Sequence, residues 1–340
     1  MATEAIPAKA REVRLAAHVT DVVTKANFDV VKAPVREPGD GEVVVRYDYL
    51  QVTAVMQDLM REDADLPMPT YKVGEPLWGF AVGKVVKSNS PDLKVGDDVE
   101  GMNGWNEYAV GPAQSFWKLD PTMFPTPQHY LTQGPTAYHG IVDIAQVKEG
   151  DTVFVSGAAG GVGSLAGQIA KCMGAKTVIG SAGSQKKIDY LVNELGFDAA
   201  FNYKKGPIVD QLRKLAPEGI DVFFDVVGGE TFEAAIQAAA QDARFALCGA
   251  LSGQVGNGDG AFPRLDIMHS IVRQIQIRPF ATYHTPDQIW AWQSHFSQWL
   301  KEGKFVFPHT VVEGGLGKAP QALIDLLRGK HSGNLLVKLT

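Results

Sequence analysis

The stretch Val153-Phe154-Val155-Ser156-Gly157-Ala158-Ala159-Gly160-Gly161-Val162-Gly163 decides the fold of this 340-residue chain. It begins as a short apolar strand and passes through a glycine-rich turn into the start of a helix. Gly157, Gly160 and Gly163 are spaced three apart, so the backbone can turn sharply and approach a pyrophosphate where side chains would collide with it. The helix that follows would offer backbone N–H groups and its positive dipole end to that anion. The stretch predicts a dinucleotide-binding turn.

The residues after this turn support that interpretation. Apolar residues continue at helical spacing, and a second strand-like run, 176–179, follows them. The resulting strand–helix–strand unit spans about thirty residues, as a dinucleotide-binding unit does. A glycine-rich turn with a purely structural role is the alternative, and the complete unit argues against it.

The residues after the second strand indicate which dinucleotide would bind. NAD-binding proteins usually carry an acidic residue here, about twenty residues after the glycines, for the ribose hydroxyl. This chain has Gly180-Ser181-Ala182-Gly183-Ser184 instead, followed after one residue by Lys186-Lys187. The missing acid and the added cations favour a phosphorylated ribose, so NADP(H) is the predicted coenzyme. The alternative for the two lysines is a solvated helix face.

The composition excludes several other functions. Hydrophobic residues make up 45% of the chain and charged residues 21%, and the net charge is −6. These values predict a globular protein with no basic face for nucleic acid. We expect no membrane association, because no apolar run approaches membrane-spanning length. The N-terminal residues resemble no signal peptide, and a cytoplasmic location is the default expectation.

Metal and acyl-transfer chemistry have no support in the sequence. Only two cysteines occur, Cys172 and Cys248, which excludes a disulfide framework and a four-thiolate zinc site. Both cysteines are predicted to be small core residues rather than nucleophiles. The histidines show no metal-ligand spacing, and no Gly-x-Ser-x-Gly elbow is present. We expect no metal.

The chain changes character near residue 125. Before it, strand-like runs such as 42–47 and 81–86 are separated by frequent glycine and proline turns, which predicts a β-rich, barrel-like domain. From residue 152 strands and helices alternate, which predicts an α/β domain with a doubly wound parallel sheet. A later helix beginning at Pro286 contains Trp290, Phe296 and Trp299, which are expected to pack in the core.

Several short strings recur in the order and spacing of one known family. They are Lys72-Val73-Gly74-Glu75-Pro76, Gly104-Trp105-Asn106-Glu107-Tyr108, Gly134-Pro135-Thr136-Ala137-Tyr138, Phe201-Asn202-Tyr203-Lys204 and Phe224-Asp225-Val226-Val227-Gly228-Gly229. Over nearly its whole length the chain resembles the medium-chain dehydrogenase/reductase superfamily, and within it the zinc-independent prostaglandin, leukotriene and alkenal (enone) reductases. The resemblance implies a GroES-like β-rich catalytic domain at 1–127 and 307–340 and a Rossmann NADP-binding domain at 128–306. It also implies a homodimer.

The resemblance assigns roles to single residues. Near the pyrophosphate it places Gly160, Gly161, Val162 and Gly163, and at the ribose phosphate Lys187 and Tyr203. Under the nicotinamide ribose it places Cys248 and Gly249, beside the ring Phe280 and Ala281, and in the tail, also reaching the coenzyme, His331. Tyr283, next to the expected nicotinamide contacts, is the candidate proton donor. For Tyr203 and Tyr283 the alternative is a packing role.

The substrate half departs from the family. Where many relatives read Asp-Pro-Tyr-Met-Arg, this chain has Thr53-Ala54-Val55-Met56-Gln57, and Val272 and Gln254 stand where relatives carry tyrosines. An apolar pocket of Trp78, Trp105 and Phe116 is possible, and core packing explains these residues equally well.

These observations predict an NADPH-dependent oxidoreductase that reduces the activated C=C bond of α,β-unsaturated ketones and aldehydes. A zinc-free quinone reductase has the same architecture and is the main alternative, followed by a carbonyl reductase. A coenzyme-binding protein without turnover is the alternative outside the enzymes.

Overall fold

The computed structural model describes residues 5–64, 66, 68–254, 262–281 and 283–340, with Gln254 described by its backbone alone. The chain divides into two units, one comprising Met1–Thr132 and His309–Thr340 and the other Gln133–Pro308. We call them unit 1 and unit 2.

The strands and helices are numbered along the chain. The strands are β1 (Lys9–Leu15), β2 (Phe28–Pro34), β3 (Glu42–Val52), β4 (Ala81–Ser88), β5 (Asp98–Gly101), β6 (Tyr108–Pro112), β7 (Phe116–Lys118), β8 (Thr152–Val155), β9 (Thr177–Ala182), β10 (Ala199–Asn202), β11 (Ile220–Asp225), β12 (Ala239–Leu247), β13 (Gln276–Pro279), β14 (His309–Val312) and β15 (Asn334–Lys338). The helices are α1 (Met56–Leu59), α2 (Gly134–Tyr138), α3 (Gly161–Cys172), α4 (Gln185–Asn193), α5 (Ile208–Leu215), α6 (Gly229–Gln237), α7 (Leu251–Gln254), α8 (Ile267–Arg273), α9 (Pro286–Lys301) and α10 (Ala319–Leu327).

Unit 1 is built mainly from antiparallel strands. Its larger sheet has the order β14-β15-β3-β4-β5-β7, with β6 also paired to β3, and β1 and β2 form a separate antiparallel pair. The C-terminal strand β15 lies against β3, so the tail of the chain completes this sheet. The β-rich domain predicted from the sequence is confirmed.

Unit 2 contains one parallel sheet with the order β10-β9-β8-β11-β12-β13. The chain starts in the middle at β8, moves outward to β10, and returns to the other side at β11. This order is that of a doubly wound sheet, whose ligand crevice lies at the carboxyl ends of the strands where the direction reverses. That point falls between β8 and β11. The predicted α/β fold class is confirmed.

Helix α9 corrects one expectation from the sequence. Trp299 and Phe296 are buried, as predicted, but Trp290 is 61% exposed. The buried face of α9 carries Trp292, Phe296 and Trp299, at the spacing of one helix face. Trp290 precedes Trp292 by two positions, which turns it to the opposite side of a 3.6-residue helix.

No helix among the described residues is long and apolar enough to cross a membrane.

Glu100 in unit 1 makes stability dependent on pH. It lies on β5, opposite Val82 of β4 and Trp117 of β7, and burial raises the pKa of its carboxyl to about 8. As the pH rises from about 4.5 toward 8, the unfolded chain loses this proton before the folded chain does, so the free energy of unfolding falls. We expect Glu100→Gln to reduce the loss of melting temperature between pH 6 and pH 8.5 by about 2–5 °C.

The control for this measurement is Glu62→Gln, which neutralises an exposed carboxylate of the same unit. It should leave the pH dependence of thermal melting as it is in the natural chain. An unchanged pH dependence in Glu100→Gln would contradict a neutral, half-buried Glu100 carboxyl.

Candidate functional site

The glycine-rich turn lies between β8 and α3, at the carboxyl end of the sheet. Gly157 has a φ of +54°, in the left-handed region that favours glycine. The N–H of Gly160 donates to the Gly157 carbonyl over 3.0 Å and closes the turn. A Cβ on Gly163 would lie 2.7 Å from the Gly157 oxygen and 2.9 Å from the Ala158 Cα. Because both are backbone atoms, only glycine at 163 lets the helix pack this closely on its own turn.

The start of α3 faces the same turn. Its N-cap residue is Gly160, which has no side chain to cap the helix. Gly161 and Val162, the first residues of the helix, are half-buried. A long helix that begins in such a cradle is suited to a phosphate group. The structure thus brings together the four residues that the sequence assigned to the pyrophosphate, Gly160, Gly161, Val162 and Gly163.

Basic residues gather at the carboxyl ends of β9 and β10. These strands are parallel neighbours, with Asn202 paired to Ala182, so the residues after them lie at one edge of the sheet. Lys187 on α4 is half-buried, and burial together with the charge of Lys204 lowers the pKa of its ammonium group. Neighbouring Lys186 is exposed instead. Two ammonium groups near each other favour binding of an anion.

Tyr203 completes this basic cluster, which consists of Gly183, Lys187, Tyr203 and Lys204. The Lys204 Nζ lies 5.6 Å from the centre of the Tyr203 ring. A Cβ on Gly183 would lie 3.0 Å from the Tyr203 hydroxyl, so the absence of a side chain at 183 leaves room for the ring. Tyr203 is itself 45% exposed. Its hydroxyl and the two ammonium groups are suitable donors for a phosphate.

A buried carboxylate fixes the centre of the crevice. Asp225, at the end of β11, accepts hydrogen bonds from the Ser156 hydroxyl over 2.7 Å, from the Val227 N–H over 2.9 Å and from the Gly228 N–H over 3.0 Å. The Ser156 hydroxyl in turn accepts from the Val226 N–H. These bonds tie the glycine-rich turn to the end of β11, at the point where the strand order reverses.

The ends of β12 and β13 carry the residues assigned to the nicotinamide half. The N–H groups of Cys248 and Gly249 both donate to the Asp225 carbonyl, over 2.8 and 3.1 Å. Phe280 follows β13 and donates its N–H to the Leu247 carbonyl. Cys248 and Phe280 are half-buried, whereas Gly249 and Ala281 are exposed. The structure therefore places these four residues on neighbouring strand ends.

A pair of histidines lies beside these strand ends. The His284 Nε2 is 3.0 Å from the Thr136 hydroxyl, and the His139 Nδ1 is 2.7 Å from an Asp143 carboxylate oxygen. The His139 ring lies 5.9 Å from the His284 ring and 5.5 Å from the Phe280 ring. Burial, and secondarily His139, lower the pKa of His284 to about 4. His284 is consequently neutral at physiological pH.

The remaining predicted site residues lie at different places. Tyr283 is in unit 2 and is 56% exposed. His331 is half-buried in unit 1, just before β15, and its role toward the coenzyme stays a prediction. Val272 is 65% exposed on α8, and the Gln254 side chain is outside the described residues.

The two cysteine thiols are protonated at neutral pH. Burial raises the pKa of Cys172 to about 11 and that of Cys248 to about 12, with the Asp225 charge contributing at Cys248. A thiol must ionise to act as a nucleophile. Within the part of the chain that the structure describes, no group of three or more His, Cys, Asp or Glu residues could hold a metal ion.

The aromatic residues suggested for a pocket separate into two groups. Trp105 and Phe116 are buried in the core of unit 1. Trp78 instead lines an open surface cleft of about 510 Å³, with Met102 and Trp117 on its walls.

Three features of the site were not predicted from the sequence. These are the Ser156–Asp225 hydrogen bond, Lys204 as the second cation of the basic cluster, and the contact between Thr136 and His284. Asp225, Lys204 and Thr136 all stand in strings used for the resemblance, but none was assigned a role. The usable signal was position, since Asp225 ends a strand and Lys204 follows one closely.

Two family models match the chain. One, described as zinc-binding dehydrogenase, matches residues 161–299. The other, described as the N-terminal domain of oxidoreductase, matches residues 11–119.

Relatives match over almost the full length. The chain is 33% identical to an NADPH-dependent curcumin reductase of Escherichia coli (strain K12), over 92% of each chain. It is also 33% identical to a 2-alkenal reductase (NADP(+)-dependent) of Nicotiana tabacum, over 97% of each. Among solved structures, CurA from Vibrio vulnificus in complex with NADPH is 31% identical and superimposes with a TM-score of 0.88, covering 97% of this chain and 99% of that one.

Proposed function

Because the chain belongs to the medium-chain dehydrogenase/reductase superfamily, within its zinc-independent NADP-dependent reductases, we propose that it reduces the C=C bond of α,β-unsaturated ketones and aldehydes with NADPH. The observation that carries the choice of NADPH is the basic cluster at the ends of β9 and β10, on the same sheet edge as the glycine-rich turn. Relatives with alkenal and curcumin reductase activity support the choice of substrate.

The residues of unit 2 fit such a coenzyme. The glycine-rich turn fits a pyrophosphate: because a Cβ at 163 would collide with the backbone of the turn, only glycine lets α3 begin this close to it. Lys187, Lys204 and Tyr203 would hold the phosphate on the adenosine ribose. Cys248, Gly249, Phe280 and Ala281, at the ends of β12 and β13, would border the nicotinamide half.

When bound, the coenzyme supplies a hydride for the β carbon of the substrate. The substrate then carries an enolate, whose oxygen needs a hydrogen-bond donor and whose α carbon needs a proton. A single well-placed donor to such an oxygen contributes roughly 3 kcal/mol. We propose Tyr283 as the source of the proton, since its exposed side chain follows Phe280 and Ala281 at the end of β13. The hydrogen bond between Ser156 and Asp225 holds the strand ends in place.

The decisive experiment is a coenzyme oxidation assay with the purified protein. NADPH oxidation is followed with a bulky enone, a small alkenal, a quinone and a saturated aldehyde in parallel, with NADH as the control coenzyme. Turnover of the enone and the alkenal with NADPH is the expected result. Fast reduction of the quinone with inert enones would replace the proposal by a quinone reductase. Tight NADPH binding without any turnover would indicate a coenzyme-binding protein.

We also propose that the protein is a homodimer joined edge to edge through the parallel sheets of unit 2. Strand β13 is the last strand of the sheet that the described residues form. Helix α8, which precedes it, exposes four apolar side chains, Ile267, Met268, Ile271 and Val272, each more than 60% accessible. An exposed apolar face beside an open strand edge supports burial against a second copy. Light scattering after size exclusion should give twice the mass of one chain.

A cytoplasmic location is proposed on composition alone. The chain has only two cysteines, as expected of a protein in a reducing compartment. Cell fractionation tests it.

A further inference from the structure

His284 has one ring nitrogen that forms no hydrogen bond to any residue that the structure describes. Its Nε2 lies 3.0 Å from the Thr136 hydroxyl. Its Nδ1 is buried, and none of the described residues offers it a hydrogen-bond partner. A buried polar atom without a partner costs free energy, and native structures contain few of them. A bound ligand group could therefore supply the hydrogen-bond partner that this nitrogen lacks.

The position of His284 indicates which ligand group this is. In a doubly wound sheet the dinucleotide crosses the strand ends, with one half on each side of the reversal point. The basic cluster lies on the β9–β10 side, so the other half of the coenzyme falls over β11, β12 and β13. His284 is five residues beyond the end of β13. The ring of His139 lies near both His284 and Phe280, so these three side chains form one cluster.

The chemistry of the imidazole matches an amide. Burial and His139 keep His284 neutral, with a pKa of about 4, so one ring nitrogen donates a hydrogen bond and the other accepts one. If Nε2 accepts from the Thr136 hydroxyl, Nδ1 is the donor, and if Nε2 donates, Nδ1 is the acceptor. A carboxamide has both a carbonyl oxygen and an NH₂ group, so it satisfies Nδ1 with either tautomer.

We propose that the His284 Nδ1 binds the carboxamide of the nicotinamide ring, with the Thr136 hydroxyl holding the imidazole in position. This proposal rests on the proposed coenzyme but on no particular substrate. His284 is a positioning residue: it fixes the rotation of the ring about the bond to its ribose, and so the face that the ring presents.

The test compares two ligands that differ in the nicotinamide half. NADPH contains it, whereas 2′,5′-ADP carries only the adenosine phosphates that the basic cluster would hold. We expect His284→Gln to weaken NADPH binding about three- to tenfold, the value of one neutral hydrogen bond, and to leave 2′,5′-ADP binding unchanged. Both affinities are measured by calorimetry, without any substrate, so a failed activity assay does not affect the result.

Two further variants separate positioning from packing. His284→Asn places an amide near the Nδ1 position, whereas His284→Gln places it near Nε2, so the asparagine variant should retain more NADPH affinity than the glutamine variant. His295→Gln is the matched control, because His295 is a half-buried histidine of unit 2 whose Nδ1 already meets the Tyr138 hydroxyl at 2.7 Å. It should bind both ligands normally. Unchanged NADPH affinity in His284→Gln, or an equal loss for NADPH and 2′,5′-ADP, would overturn the proposal.

Discussion

Replacing Lys187 and Lys204 together by methionine is expected to remove the preference for NADPH over NADH. The two ammonium groups lie close enough for Lys204 to lower the pKa of Lys187, and a phosphate between them would relieve their repulsion. A hydrogen bond to a charged group contributes about 1.5–3 kcal/mol, or about ten- to 150-fold in binding. We expect kcat/KM for NADPH to fall by about this factor or more, whereas kcat/KM for NADH stays within about twofold.

The matched control is Lys186→Met. Lys186 is the neighbour of Lys187 in sequence, but its side chain is exposed, so its loss should not change either coenzyme. An equal loss of NADPH activity in Lys186→Met would mean that only the general positive charge matters. If the unsubstituted protein preferred NADH over NADPH, the basic cluster would not be the binding site of the ribose phosphate.

Gly163→Ala is expected to damage both the coenzyme site and the fold around it. The added Cβ would lie 2.7 Å from the Gly157 oxygen and 2.9 Å from the Ala158 Cα, and neither backbone atom can move away without opening the turn. Overpacking of this kind costs about 1–3 kcal/mol. We expect NADPH to bind roughly ten- to hundredfold more weakly and thermal melting to occur at a lower temperature.

Alanine substitutions at two other glycines serve as controls for Gly163→Ala. A Cβ on Gly160 would meet only the Gly157 oxygen, at 3.3 Å, so Gly160→Ala should affect NADPH binding with little loss of melting temperature. Gly111 lies in unit 1 with only the Phe116 ring within reach, at 3.9 Å, and Gly111→Ala should change neither quantity. Normal NADPH affinity and melting in Gly163→Ala would show that the turn adapts more easily than its geometry indicates.

Much of unit 2 could be predicted because its signals are local. The strand-like run predicted at 176–179 overlaps β9, and the helix predicted from Pro286 begins there as α9. The β1–β2 pair has no counterpart among the predicted strands. Charged residues stand between the apolar residues of β1 and obscure the strand pattern. Its pairing with β2 joins residues that are far apart in the sequence.

The candidate site also contains residues that the sequence could predict and residues that it could not. Sequence reasoning could select Lys187 because it follows a strand at a fixed distance from the glycines. Its partner Lys204 is seventeen residues further on, and only the parallel pairing of β9 and β10 brings the two together. Thr136 and His284 are 148 residues apart, so no local pattern connects them.

By itself the sequence determined the dinucleotide-binding turn, the alternation of strands and helices, and the absence of an acid where NAD would need one. These depend on glycine sterics, apolar spacing and residue charge, which act over a few neighbours in the chain. Only the tertiary structure decided the strand order that creates the crevice, the exposure of Trp290, the raised pKa of Glu100 and the buried nitrogen of His284. Each of these depends on which distant segments pack together, because burial and desolvation are properties of the whole fold.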